Sequence, residues 1–205
     1  MIDDKDTYKT ILAPVEAILL KEKKSKFIGY AYPISKEEEV KPIIELLRKE
    51  YPTANHVCYA WQLGVERISY RANDDGEPNN SAGMPIYGQI QAFDITNVLV
   101  AVVRIFGGTK LGVGGLISTY KESAKLTLEE AKVTSKILTT PLILNFDYDK
   151  MNVVMRLIKK HQLDIVEQKM EINCTIKLAV KKSDLEQVSK KFTPLKGIEV
   201  LTPEI

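Results

Sequence analysis

The stretch Asn97–Leu116, NVLVAVVRIFGGTKLGVGGL, sets the frame for the rest of the chain. Its first half, NVLVAVVR, is a continuous run rich in β-branched residues, the pattern of a central strand buried on both faces. Its second half places five glycines within the nine residues Gly107–Gly115. Leu116, Ile117, Tyr120, Ala124, Thr127, Leu128 and Ala131 then recur at helical spacing, with Glu129 and Glu130 turned outward. Strand, glycine-rich turn and long helix in succession indicate a helix laid against a sheet.

Toward the N-terminus, alternation predicts strands over Pro14–Leu20 and Ser25–Pro33, joined by the charged turn Lys21–Lys24. Ser35 and Glu38 have capping-box spacing, and Val40, Ile43, Ile44 and Leu47 follow at helical intervals. Pro42 must either kink that helix or mark its true start. His56–Gly64 reads as a strand, Ser69–Glu77 runs into the polar loop Asn73–Pro78, and Ser81 is the expected cap of a helix reaching Phe93. From Ser135 the pattern restarts: a strand to Phe146, a helix over Asp147–Lys160, strands over Leu163–Met170 and Glu171–Val180, a helix from Ser183 and a strand at Ile198–Leu201. That β-α-β-β-α-β order is ferredoxin-like. The expectation is an α+β chain of two domains, residues 1–133 and 134–205.

With 44% hydrophobic and 27% charged residues, the composition is that of a globular protein with a packed core. The apolar run Val98–Val103 is far short of the ~20 residues a membrane helix needs, and Met1–Lys9 is polar rather than signal-like. A cytoplasmic location with no membrane contact is expected. Cys58 and Cys174 fall one in each half, which supplies neither a disulfide framework nor a metal cluster. Residues 1–134 carry 17 Lys and Arg against 18 Asp and Glu, net −1, whereas residues 135–205 carry 12 against 9, net +3. This balance permits nucleic-acid contact without demanding it.

The glycines of the loop allow close approach of a ligand to the backbone, and the helix start after Gly115 offers N–H groups and a positive dipole end to an anion. Arg104 and Lys110 would add charge, making Arg104, Gly107, Gly108, Lys110, Gly112, Gly114 and Gly115 a candidate nucleic-acid or anion site. Tight helix–sheet packing explains the same glycines equally well. No Gly-Lys-Ser/Thr follows, and Gly112–Ile117 lacks the final glycine of the dinucleotide fingerprint, so no nucleotide cofactor is expected. Asp74, Asp75 and Glu77 are either a solvated turn or a magnesium-type carboxylate set. His56 and Cys58 share a strand face but lie badly for a thiol–imidazole pair. Basic residues of the second half, among them Lys150, Arg156, Lys159, Lys160, Lys181, Lys182, Lys190 and Lys191, gather near helix ends, where they complement the dipole. His161 receives no chemistry.

Four blocks, KKSKFIGYAYPI (Lys23–Ile34), ANHVCYAW (Ala54–Trp61), DDGEPNNSAGMPI (Asp74–Ile86) and VVRIFGGTKLGVGGL (Val102–Leu116), together resemble the YigZ/IMPACT family. The resemblance implies an N-terminal domain like domain 2 of ribosomal protein S5, with a four-stranded sheet, and a ferredoxin-like C-terminal domain similar to one of elongation factor G. Ile105 stands where the family usually has an aromatic residue, and Asn79-Asn80 replaces smaller residues. The family's eukaryotic members are translational regulators acting through a protein partner. The resemblance therefore implies a non-enzymatic, translation-associated factor that binds RNA or the ribosome, with His56, Tyr59 and Trp61 as further contacts. The alternatives are a protein-interaction module with a regulatory partner, meeting it through Ile105 or Phe106, and a metal-assisted hydrolase built on the Asp74–Glu77 loop.

Overall fold

In the computed structural model, which describes residues 6–202, Tyr8–Lys136 close into one compact unit, and Ile137 onward, with Asp6 and Thr7, into another. The first five residues of the polar opening Met1–Lys9 lie outside the described residues.

The first unit is built on an antiparallel sheet ordered β2-β3-β6-β4-β5, comprising Val15–Glu22, Ser25–Pro33, Val98–Ile105, His56–Leu63 and Ser69–Asn73. Five strands replace the expected four, because Ser69–Asn73 pairs along β4 at the edge. The run Val98–Val103 is the central strand β6, buried throughout, and its alternate residues enter two cores. Val98, Val100 and Val102 pack with Phe27, Cys58, Ile86, Ile90, Tyr120 and Leu128 beneath α2 (Gly83–Ala92) and α3 (Gly112–Glu129). Leu99, Ala101 and Val103 pack with Tyr30, Val57, Trp61, Ile44 and Leu47 beneath α1 (Val40–Glu50). β3 and β4 are both antiparallel to β6 and hence parallel to each other, with α1 as the crossover.

Several local expectations change. Pro42 is the third residue of α1, in the first turn, where its missing N–H has no intrahelical partner to lose. The carboxylate that closes the entry to α1 belongs to Glu39, not Glu38, and accepts from Ser35 N, Ser35 Oγ and Lys36 N at 2.6–3.1 Å. Ser81 does not cap α2; its hydroxyl donates to the Pro78 carbonyl at 2.6 Å. The expected strand from Ser135 to Phe146 is two strands interrupted at Leu138, β7 (Val133–Ile137) and β8 (Thr139–Asp147). β7 pairs with β1 (Thr7–Ile11), a strand hidden within the polar opening.

The second unit orders its antiparallel strands β11-β8-β10-β9, with β9 at Asp164–Lys169, β10 at Asn173–Lys181 and β11 at Ile198–Leu201. One face carries Leu142, Leu144, Phe146, Cys174, Ile176 and Leu178, buried with Val154 and Ile158 of α4 (Met151–Lys160) and Val188 and Phe192 of α5 (Leu185–Phe192). A 3-10 turn precedes each helix, so both start later than Asp147 and Ser183 suggest.

Gly29 marks the closest approach of α3 to β3: a β-carbon there would lie 1.8 Å from Thr127 Oγ1. Gly29→Ala is expected to destabilise the chain by about 1–3 kcal/mol through overpacking. Adding Thr127→Ala should recover part of that loss, read as coupling in a urea-unfolding double-mutant cycle.

Candidate functional site

At the carboxyl end of β6, Arg104 stands directly across from Phe27 of β3 and His56 of β4. Its guanidinium is not presented to solvent as expected. It is 7% exposed and turns inward to Glu77, itself 4% exposed, with Nη1 to Oε1 at 2.6 Å. The same Glu77 oxygen accepts the Tyr120 hydroxyl of α3 at 2.8 Å. The Arg104 guanidinium lies 5.5 Å from the ring centres of both Phe27 and Phe106, and Phe27 meets Tyr120 edge to face. The Cys58 thiol is within reach of the Tyr120 oxygen at 3.3 Å and the Asp74 carbonyl at 3.1 Å. Burial above all pushes the Cys58 thiol up from its ordinary value, with the nearby carboxylates of Glu77, Asp75 and Asp74 adding to it. Burial does the same to Tyr120. Neither is a nucleophile near neutral pH.

The Asp74–Glu77 loop is not a solvated turn, and among the described residues no group of three or more His, Cys, Asp or Glu side chains is placed to hold a metal ion. Asp74 Oδ1 accepts the N–H groups of Ala82 and Gly83 at 2.9 and 2.8 Å, so Asp74 takes the capping role expected of Ser81 at the start of α2. Its other oxygen accepts Asn80 N at 2.8 Å. Asp75 accepts Val57 N and pairs with Arg48. His56 Nδ1 donates to the Asp75 carbonyl at 2.8 Å, which engages the imidazole with this loop rather than with Cys58. Both oxygens of Asp74 and of Asp75, and Oε1 of Glu77, are thus engaged by protein donors. Trp61 is 3% exposed in the α1-side core and Tyr59 is partly buried against it, so neither is an open stacking platform.

The glycine-rich loop is the open part of the site. Gly107 is held on its inner side: its N–H donates to Ser25 Oγ, and a β-carbon would come within 2.0 Å of the Lys24 carbonyl carbon. Phe106 N donates to Asn55 Oδ1 at 2.9 Å, anchoring the other flank. Beyond Gly107 the chain faces outward, with Gly108, Thr109, Lys110, Gly112, Val113 and Gly114 exposed. Helix α3 begins at Gly112, four residues before the apolar stripe, so three of the glycines form its first turn, and no side chain caps them. Gly114 has nothing within 4 Å of where a β-carbon would stand, so packing does not require a glycine there. Tyr120, Phe27, Ser25 and Asn55 were not singled out as site residues from the sequence. The one available signal was a hydroxyl-bearing ring on an otherwise apolar helix stripe.

Removing one member of the buried pair leaves an uncompensated charge. Glu77→Ala is expected to lower stability by about 3–5 kcal/mol, and Glu77→Leu with Arg104→Met to recover most of it, measured by urea unfolding. Because the Cys58 pKa is raised, its thiol should stay protonated through pH 8–9. Iodoacetamide should therefore label Cys58 only as fast as the chain opens, an outcome checked by mass spectrometry with and without urea.

The Impact N-terminal domain family matches residues 23–128. An IMPACT family member from Haemophilus influenzae is 30% identical over 186 residues, 89% of this chain and 90% of that protein. YigZ of Escherichia coli, another member, is 28% identical over 172 residues, 83% of this chain and 84% of its own. A crystal structure of a protein described as hypothetical superposes with a TM-score of 0.75 at 25% identity, over 97% of this chain and 98% of that one. With the Arg104–Glu77 pair, the Asp74 cap and the glycine-rich turn all inside the matched span, this chain belongs to the IMPACT family.

Proposed function

We propose that this chain is a non-enzymatic, translation-associated factor of the cytoplasm that contacts RNA or the ribosome through the outward part of the Gly107–Gly115 loop. In this reading residues 1–133 are a module like domain 2 of ribosomal protein S5 and residues 134–205 a ferredoxin-like module, the latter supported by its strand order β11-β8-β10-β9. The contact consists of Lys110 and the backbone N–H groups of Gly108, Gly112, Gly114 and Gly115; Arg104 serves as internal support.

The observation that carries this reading is Gly114. A glycine within a helix costs about 0.5–1 kcal/mol relative to alanine. Here neither packing nor a positive φ asks for it. What it leaves is bare backbone at an uncapped, positive helix end, which a phosphate can approach closely. Membership of a family linked by resemblance to translational regulation points the same way.

A second reading, a protein-interaction module, draws on Phe106, Val113 and Ile117, which expose 41, 53 and 39% of their surface around the same loop. The two are separated by sedimenting the protein with purified ribosomes across a salt series. The RNA reading expects binding that falls steeply with salt, weakens in Lys110→Glu, and weakens in Gly114→Ala even as that variant gains about 0.5–1 kcal/mol of stability. Salt-independent capture of a partner that survives nuclease and is lost in Phe106→Ala would favour the protein module instead.

A further inference from the structure

The second unit holds a group of cations that helix-end electrostatics accounts for only in part. Lys159, Lys160, Lys190 and Lys191 fall in the last turns of α4 and α5, where a cation complements the dipole. Lys190 is further neutralised by Glu186 at 2.5 Å. Arg156 is different: it lies four residues before Lys160 on the same exposed side of α4, a like-charge spacing that weakens a helix. Lys191 crosses from α5 to α4 and places its ammonium 3.2 Å from His161 Nδ1. Among the described residues no carboxylate pairs with Arg156, Lys160 or Lys191. The density of positive charge registers on His161, whose pKa is held below its ordinary value by partial desolvation first, then by Lys191 and Lys160.

We infer that Arg156, Lys160, His161 and Lys191 form a second anion-binding surface, fitted to the phosphate backbone of RNA and carried by elements other than the glycine-rich loop. Cations from two helices converge here, Lys191 reaching His161 at the end of α4 and no described carboxylate neutralising them, as neutralisation of successive phosphates requires. A protein partner would need an apolar centre to bury. Here α4 and α5 expose Met155 as their one large apolar side chain among the described residues, and only about a third of it is open. The inference rests on the reading of the chain as an RNA-contacting factor, and adds where the long-range attraction comes from.

The test uses the full chain, a fluorescently labelled RNA hairpin and, in parallel, inorganic polyphosphate, with affinity measured from 50 to 300 mM salt. Lys160→Glu with Lys191→Glu should weaken hairpin binding and lower the slope of log K against log salt by about 2, roughly one unit per lost phosphate contact. Lys160→Arg with Lys191→Arg should retain both. Thermal unfolding should show the charge-reversed variant cooperatively folded and within a few degrees of the parent's Tm, relief of repulsion offsetting the lost helix-end complement. An unchanged slope in that variant overturns this surface, even if Lys110→Glu weakens binding and the loop reading stands. Loss in the charge-reversed variant with no effect of Lys110→Glu keeps this surface and removes the loop. Binding of polyphosphate but not the hairpin would make the ligand a free polyphosphate rather than RNA. Binding of neither, with an acidic protein retained only by the parent, would overturn the phosphate assignment.

Discussion

The buried pair between Arg104 and Glu77 holds the first unit's working end together. A guanidinium at the end of the central strand cannot remain buried unless its charge is met, and desolvating both partners is repaid only by close geometry and further hydrogen bonds. Both conditions hold in part: Nη1 meets Oε1 at 2.6 Å, and Tyr120 donates to the same oxygen, while Arg104 Nε has no partner among the described residues. The aromatic rings of Phe27 and Phe106, each 5.5 Å from the guanidinium, add cation–π contact. One interaction therefore joins the end of β6, the Asp74–Glu77 loop and the middle of α3. The glycine-rich turn between β6 and α3 has both its ends fixed by this network, through Arg104 before it and Tyr120 after it.

That arrangement explains why charged residues close together in sequence serve different ends. Arg104 and Lys110 flank the same glycines, yet one lies inside and the other outside. The Asp74 carboxylate organises three backbone N–H groups, so α2 starts without a side-chain cap of its own and Ser81 is released to the Pro78 carbonyl. α3 begins with no such partner. An organised helix start and a bare one on the same face of a sheet differ in what they can do, since only the bare one keeps donors for a ligand.

What could be read from the sequence follows the same division. β6 was legible because a strand buried on both faces writes itself as an unbroken apolar run, and α3 because its stripe keeps helical period. Its first turn was not legible, because glycine carries no hydrophobic signal and looks like loop. Arg104 reads as a surface cation in local context. Its partner lies 27 residues earlier in a turn whose composition is that of a solvated loop. β1 has five residues and pairs with β7, more than a hundred positions away, so neither length nor neighbours announce it. Periodicity reports burial; it does not report which polar group meets which.

The two anion-facing features also differ in range, which decides how they would act together. Backbone N–H groups at a helix start are partial charges effective within about one turn, so they discriminate only at contact. Full charges on Arg156, Lys160 and Lys191 act over a Debye length of about 8 Å at physiological salt, with +3 net on residues 135–205 against −1 on residues 1–134. In the proposed reading, attraction toward a polyanion comes mostly from the second half of the chain, and geometric selection from the first. The proposal thus reconciles a net charge of only +2 with contact to a phosphate backbone, because the charge is divided unevenly rather than being in the strong excess of a dedicated nucleic-acid binder.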